Sequence, residues 1–176
     1  MTDSVRVLGI DPGSLITGFG VIDISRSASV WIASGAIRVL GESLPDKLGC
    51  IFGEVSALVA AYRPEIMAVE RVFVHRNVDA ALKLGQARGA AICAGVAQGL
   101  SVAEYAPREI KQAVVGTGSA AKEQVQHMVA RLLHLGETPG TDEADALAVA
   151  ICHGHQLRPG ASPALTVALR GARRRR

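Results

Sequence analysis

A mixed α/β sheet flanked by helices is the fold class the sequence predicts, with five strands, the first three antiparallel and the later ones parallel. Three observations carry it. Up to Val39 the chain holds three strand-like runs joined by short polar turns, connections that suit antiparallel neighbours. Beyond residue 43, helical and strand-like patterns alternate. Within that alternation, residues 66–72 are almost continuously apolar, the pattern of a central strand covered on both faces.

Each element has its own signal. The first strand, Val5–Asp11, alternates into a tight Asp-Pro-Gly-Ser turn; 17–24 returns, and 29–39 follows a polar turn at 25–27. Ser43 caps a helix reaching about Tyr62, with Leu48, Ile51, Phe52, Val55, Leu58 and Val59 as its apolar face. Arg63-Pro64 stops it. After strand 66–72, a loop at 73–76 leads to a long helix from Asn77 to about Gln98, and Ser101–Tyr105 reads as a short strand. Pro107 opens a helix at its first turn, broken at Gly116, Thr117, Gly118 and Ser119. Residues 120–135 form an amphipathic helix, and a last helix runs from Asp142 to about Gln156 behind a Thr141 cap. No internal repeat or second domain is visible. Residues 1–158 form the folded domain, and 159–176 a basic tail, expected to be disordered, that ends in RGARRRR.

Composition narrows the function. With 176 residues and 49% hydrophobic content the chain can bury a full core. No apolar run reaches the length of a membrane span, and MTDSVRVLGI lacks a signal-peptide layout. A cytoplasmic protein is expected, with Cys50, Cys93 and Cys152 as reduced core thiols. The net charge of +3 and pI near 9.0 point only weakly to nucleic acid.

Four acids stand in segments that read as buried. Asp11 closes VRVLGID, Glu70 lies in EIMAVERV, and Asp142 and Asp145 lie in TDEADALAVAI. An ionised carboxylate in such surroundings is costly unless something positive pairs with it, and no Lys or Arg adjoins Asp11 or Asp145 in sequence. Plain readings exist: Asp-Pro-Gly is a frequent turn, and Asp142 and Glu143 complement a helix dipole. These fit poorly with Asp145, one turn into the helix, and with Glu70, whose neighbour Arg71 points to the opposite strand face. Together the four favour a metal site, and all-oxygen ligation suits Mg²⁺ or Mn²⁺ rather than zinc. Two such ions about 4 Å apart serve phosphodiester hydrolysis.

The stretches GIDPGSLITGFGVI, AVERVFVHRNVDAALKLGQARG, PREIKQAVVGTGSAAKEQVQHMV and DEADALAVAICH, in order from about Val5 to His155, resemble the RuvC family of bacterial Holliday-junction resolvases. The resemblance implies a ribonuclease-H-like fold, a homodimer, and symmetric nicking of two like-polarity strands at a four-way DNA junction in recombination and repair. It also implies cooperation with the branch-migration proteins RuvA and RuvB. Asp11, Glu70, Asp142 and Asp145 fall on the family's catalytic, metal-binding acids; Glu143 is a bystander. Lys111 and Lys122 match basic positions serving DNA binding and catalysis, and Phe73 an aromatic that stacks on a base near the branch point. Arg76 is the best phosphate contact beside it.

Other features have open or bland readings. Ala81, Gly85, Gly89, Cys93 and Ala97 recur every fourth residue on the long helix, a small-residue ridge that serves either intrachain packing or a dimer. The five histidines make no zinc set, and Trp31, Tyr62 and Tyr105 carry no nameable chemistry. The Gly116–Ser119 stretch is not a P-loop, though its amides can meet a phosphate. Three rivals stand beside a resolvase: an actin-like ATPase, for which the chain is too short, a nuclease of RNA–DNA hybrids, and a junction binder without catalysis.

Overall fold

The computed structural model describes residues 4–72 and 77–157. Phe73, His75, Arg76 and the basic tail lie outside the described residues. Strands β1 (Val5–Asp11), β2 (Ile16–Ile24) and β3 (Ser29–Arg38) are followed by helix α1 (Leu44–Tyr62), β4 (Ile66–Glu70), α2 (Val78–Ala97) and β5 (Ser101–Tyr105). Helices α3 (Pro107–Val115), α4 (Lys122–Leu132) and α5 (Thr141–Leu157) complete the fold. The sheet order is β3-β2-β1-β4-β5. β1 pairs antiparallel with β2, as β2 does with β3, while β4 runs parallel to β1 and β5. The mixed sheet read from the sequence is the sheet observed.

Strand alternation sorts the core into two layers. Leu8, Ile10, Met67 and Val69 point to the face covered by α1 and α2, with Ile51, Val55 and Ala91. Val7 and Ala68 point to the other, under α3, α4 and α5, with Ile110, Val129, Leu147 and Ile151. Residues Ala144 to Gly154 of α5 are buried except Asp145. That burial explains why this helix is apolar nearly all round.

Several expectations need correction. β4 ends at Glu70, two residues short of the run read from the sequence; beyond it the Arg71 amide still bonds the Tyr105 carbonyl at 2.7 Å, and its side chain pairs with Glu109 at 3.0 Å. Helix α5 already includes Thr141, and the first-turn acceptor for the Gly140 amide is Glu143, not a threonine cap. Phe52 is 41% exposed, one position off the Ile51–Val55–Val59 stripe. Of the three thiols only Cys152 is a core thiol; Cys93 is exposed. The ridge on α2 faces away from the chain: its buried positions are Ala87, Ala91, Ala94 and Gly95, and a Cβ on Gly85 or Gly89 would meet nothing within 4 Å. Intrachain packing therefore does not account for it. The Ser43 cap stands as read, its hydroxyl and the Asp46 carboxylate forming a capping box. Tyr105 has a buried partner, its hydroxyl lying 2.6 Å from His153 Nδ1.

Candidate active site

Register places the first two acids. Ile10 pairs with Val69 across the β1–β4 ladder, so Asp11 and Glu70, one residue on, leave the ends of adjacent central strands together. Alternation turns both away from the layer holding Ile10 and Val69 and toward α5. The turn after Asp11 is clamped by buried Thr17, whose hydroxyl donates to the Gly13 carbonyl (3.1 Å) and accepts from the Gly13 amide (3.2 Å). Arg88 of α2 donates to the Glu70 carbonyl at 3.0 Å and forms an ion pair with Glu104. Both acids thus stand on braced backbone.

Helix α5 brings the second two acids, and it lies very close to the sheet. Gly18, the partner of Asp11 across β1–β2, faces the start of the helix. A Cβ there would stand 2.0 Å from the Asp142 carbonyl oxygen, and one on Gly9 would stand 2.2 Å from that of Ala146. Only bare backbone admits this approach. Asp142 and Asp145, on one helix face, are thereby set beside the strand that carries Asp11.

The positive charge comes from the helices before α5. Lys122 Nζ, at the first residue of α4, is 3.0 Å from Asp145 Oδ2. Lys111 of α3 acts on Glu70 through its field. One turn after Lys122, Gln126 donates to the Pro139 carbonyl (3.2 Å) and the Thr141 hydroxyl (3.4 Å), tying α4 to the start of α5.

Four carboxylates outweigh two lysines. Burial, then the fields of Glu70, Asp145 and Asp142, push the Asp11 carboxyl up to about 8. Burial and the Asp145 charge likewise raise Glu70, although its hydrogen bond to Asp11 and the two lysines act the other way. Some desolvation lowers the Lys122 ammonium, but its hydrogen bond to Asp145 and the surrounding acids outweigh this and raise it. Among the described residues no three His, Cys, Asp or Glu side chains already converge in ligand geometry. What the acids lack is cationic charge, and a hard divalent ion on oxygen donors would supply it; the donor set fits such an ion.

Of the residues singled out in the sequence, the structure brings together Asp11, Glu70, Asp142, Asp145, Lys122 and, through its field, Lys111. Glu143 turns aside: its Oε1 accepts from the Ser34 hydroxyl (2.5 Å) and its Oε2 from the Gly140 amide (3.1 Å). Thr17, Gly18, Arg88 and Gln126 support the site through contacts between residues apart in the chain, which local sequence patterns do not mark. The TGFGVI glycines were the one visible hint, since glycine inside a strand marks a close backbone approach.

A sheet of this order, with carboxylates on its two central strands and on the helix crossing it, defines the ribonuclease-H-like class of nucleases. A family model described as crossover junction endodeoxyribonuclease RuvC matches residues 7–153. The chain belongs to the RuvC family. Crossover junction endodeoxyribonucleases RuvC of Alkalilimnicola ehrlichii and Burkholderia mallei are similar to it. The first is 58% identical, covering 86% of this chain and 92% of the relative. The second is 52% identical, covering 98% and 97%. Among solved structures, Thermus thermophilus RuvC in complex with Holliday junction substrate superposes with a TM-score of 0.79 at 36% identity, covering 85% of this chain and 92% of that one. The yeast mitochondrial Holliday junction resolvase, at 15% identity and TM-score 0.59, shares the fold.

Proposed function

We propose that this protein is a divalent-metal-dependent endodeoxyribonuclease that resolves four-way DNA junctions in recombination and repair. It acts as a homodimer that nicks two strands of like polarity symmetrically about the branch point. The observation that supports this most is that Asp11, Glu70, Asp142 and Asp145 lie near enough for their charges to raise the Asp11 carboxyl, in a site short of positive charge. The family's name and the junction held by the Thermus thermophilus relative support the substrate. Asp11, Glu70, Asp142 and Asp145 would hold Mg²⁺, or Mn²⁺ in its place, two ions per site. So bound, the ions supply the charge that activates a water and stabilises the leaving oxygen.

The chain's own groups do the rest. Asp11 and Glu70 fix one side of the site from the sheet, and Asp142 and Asp145 the other from α5. Lys122, half exposed beside Asp145, and Lys111, near Glu70, neutralise charge that builds on the scissile phosphate. Phe73 and Arg76 follow Glu70 closely in sequence; Phe73 stacks on an unpaired base at the branch point, and Arg76 holds phosphate. RuvA and RuvB would deliver the junction. Among the described residues no helix is long and apolar enough to cross a membrane; a cytoplasmic location is part of the proposal.

The test offers purified protein and Mg²⁺ a four-way junction, a linear duplex and an RNA–DNA hybrid in parallel. Paired nicks in the junction alone are expected. Cleavage of the hybrid alone, or junction binding without nicking, overturns the proposal.

A further inference from the structure

Beside the four acids, a chain of polar groups ties the first turn of α5 to the edge strand β3. Trp31 Nε1 donates to Ser34 Oγ at 2.7 Å, and Ser34 Oγ donates to Glu143 Oε1 at 2.5 Å. A serine hydroxyl has one proton. With the indole N–H directed at its oxygen, that proton goes to Glu143. The other carboxylate oxygen, Oε2, accepts from the Gly140 amide at 3.1 Å, one of the amides a helix start leaves without an internal partner.

Glu143 is therefore spoken for at both oxygens. Helix geometry also turns it from the acids, since successive residues step by about 100°, placing it about 160° around from Asp145. We infer that Glu143 is a positioning residue: through Ser34 and the Gly140 amide it fixes the first turn of α5, and with it the carboxylates of Asp142 and Asp145. Gln126 holds the same turn from the α4 side, so the turn is braced on both flanks. Trp31, Ser34, Gly140 and Glu143 line an open groove of about 630 Å³ and belong to neither apolar layer, so truncating them leaves the core intact.

The inference rests on the proposed metal chemistry for its functional outcome, while its structural outcome can be read without metal. The variants are Glu143→Ala, Glu143→Gln, Ser34→Ala, the Ser34→Ala/Glu143→Ala pair, and Asp145→Asn as the metal-site control. The first readout is amide exchange in metal-free protein. The Ala144 amide, which bonds the Gly140 carbonyl, should exchange about tenfold faster or more in Glu143→Ala, the scale of one charge-assisted hydrogen bond. The second is Mn²⁺ affinity by calorimetry alongside junction-cleavage kinetics. Glu143→Ala should lower Mn²⁺ affinity and kcat by about 10- to 100-fold, the usual effect of removing a group that orients ligands, with KM for the junction unchanged. Glu143→Gln should retain most of both, because an amide oxygen still accepts from Gly140. Ser34→Ala should add nothing in the Glu143→Ala background. Unchanged exchange in Glu143→Ala overturns the inference, whatever its Mn²⁺ affinity. So does a Glu143→Gln variant as impaired as Glu143→Ala, which makes the charge itself the working part. If Asp145→Asn keeps full Mn²⁺ affinity, the metal reading fails, and unaltered exchange in Glu143→Ala still overturns the brace by itself.

Discussion

Asp11 concentrates the electrostatic problem of the site in one side chain. Its carboxyl moves from an ordinary 3.8 to about 8, first through burial and then through Glu70, Asp145 and Asp142. Raising an acid's pKa on folding means that the folded state binds the extra proton across that range. The Asp11 contribution to stability is therefore complete below about pH 4 and lost as pH rises toward about 8; raised Glu70 has the same sign. Melting temperature of metal-free protein should fall over this window, and the fall should shrink in Asp11→Asn. Added Mg²⁺ should restore stability at pH 8 and release protons when titrated in weakly buffered solution. A flat melting profile would sink this account. Asp145→Asn should lower junction cleavage by about a hundredfold or more, the scale of removing one preorganised stabilising group, while junction binding persists in a gel-shift assay. Unaltered cleavage counts against Asp145 as a ligand. These acids were legible because they interrupt apolar segments where a lone charge is costly. Their counter-charge was not: Lys122 reaches Asp145 from a separate helix, and nothing in the local sequence announces that meeting.

At the scale of elements, the site depends on how closely α5 lies on β1 and β2. Gly18 stands opposite Asp11, with the Asp142 carbonyl where its Cβ would be. Gly18→Ala must push the helix start outward or strain the strand. The expected loss is about 1–3 kcal/mol, the range for overpacking, measured by urea unfolding. Cleavage should fall at temperatures where the variant remains folded, because the displacement falls on Asp142. Gly49, inside α1, provides the contrast. A Cβ there meets nothing within 4 Å, so Gly49→Ala should gain about 0.5–1 kcal/mol from helix propensity and leave cleavage untouched. Equal effects of the two substitutions would show that close approach at Gly18 is not what matters. The identity and order of the elements were readable from periodicity and caps, as at Ser43, because those are local properties. The glycine approach, the Ser34–Glu143 bond and the outward aim of the α2 ridge depend on residues far apart in sequence. Spacing alone could not rank a packed ridge above an exposed one.

For the whole molecule, the decisive question is how one active site per 18.3 kDa chain would make the two symmetric cuts of the proposed reaction. A two-fold dimer answers it, since each protomer then presents the same site to one of two equivalent strands. Helix α2 offers an exposed apolar surface that such a dimer could use. Val78 (68% exposed), Leu82 (59%) and Val96 (56%) lie along it with exposed Gly85 and Cys93. Small residues between larger apolar ones let two helices approach closely, and an isologous dimer built through α2 would set this stripe against its own copy. Gly85→Arg puts a long charged side chain into the closest part of that contact, at a position where the isolated protomer has open space. The protomer should therefore keep its melting temperature at high dilution, while sedimentation shifts toward the monomer. Junction affinity should weaken and its salt dependence become shallower, because a monomer meets fewer phosphates. Paired nicking should decay into single nicks, since the two sites no longer arrive together. A Gly85→Arg protein that still sediments as a dimer and still nicks in pairs would move the interface elsewhere and leave the α2 stripe without this role.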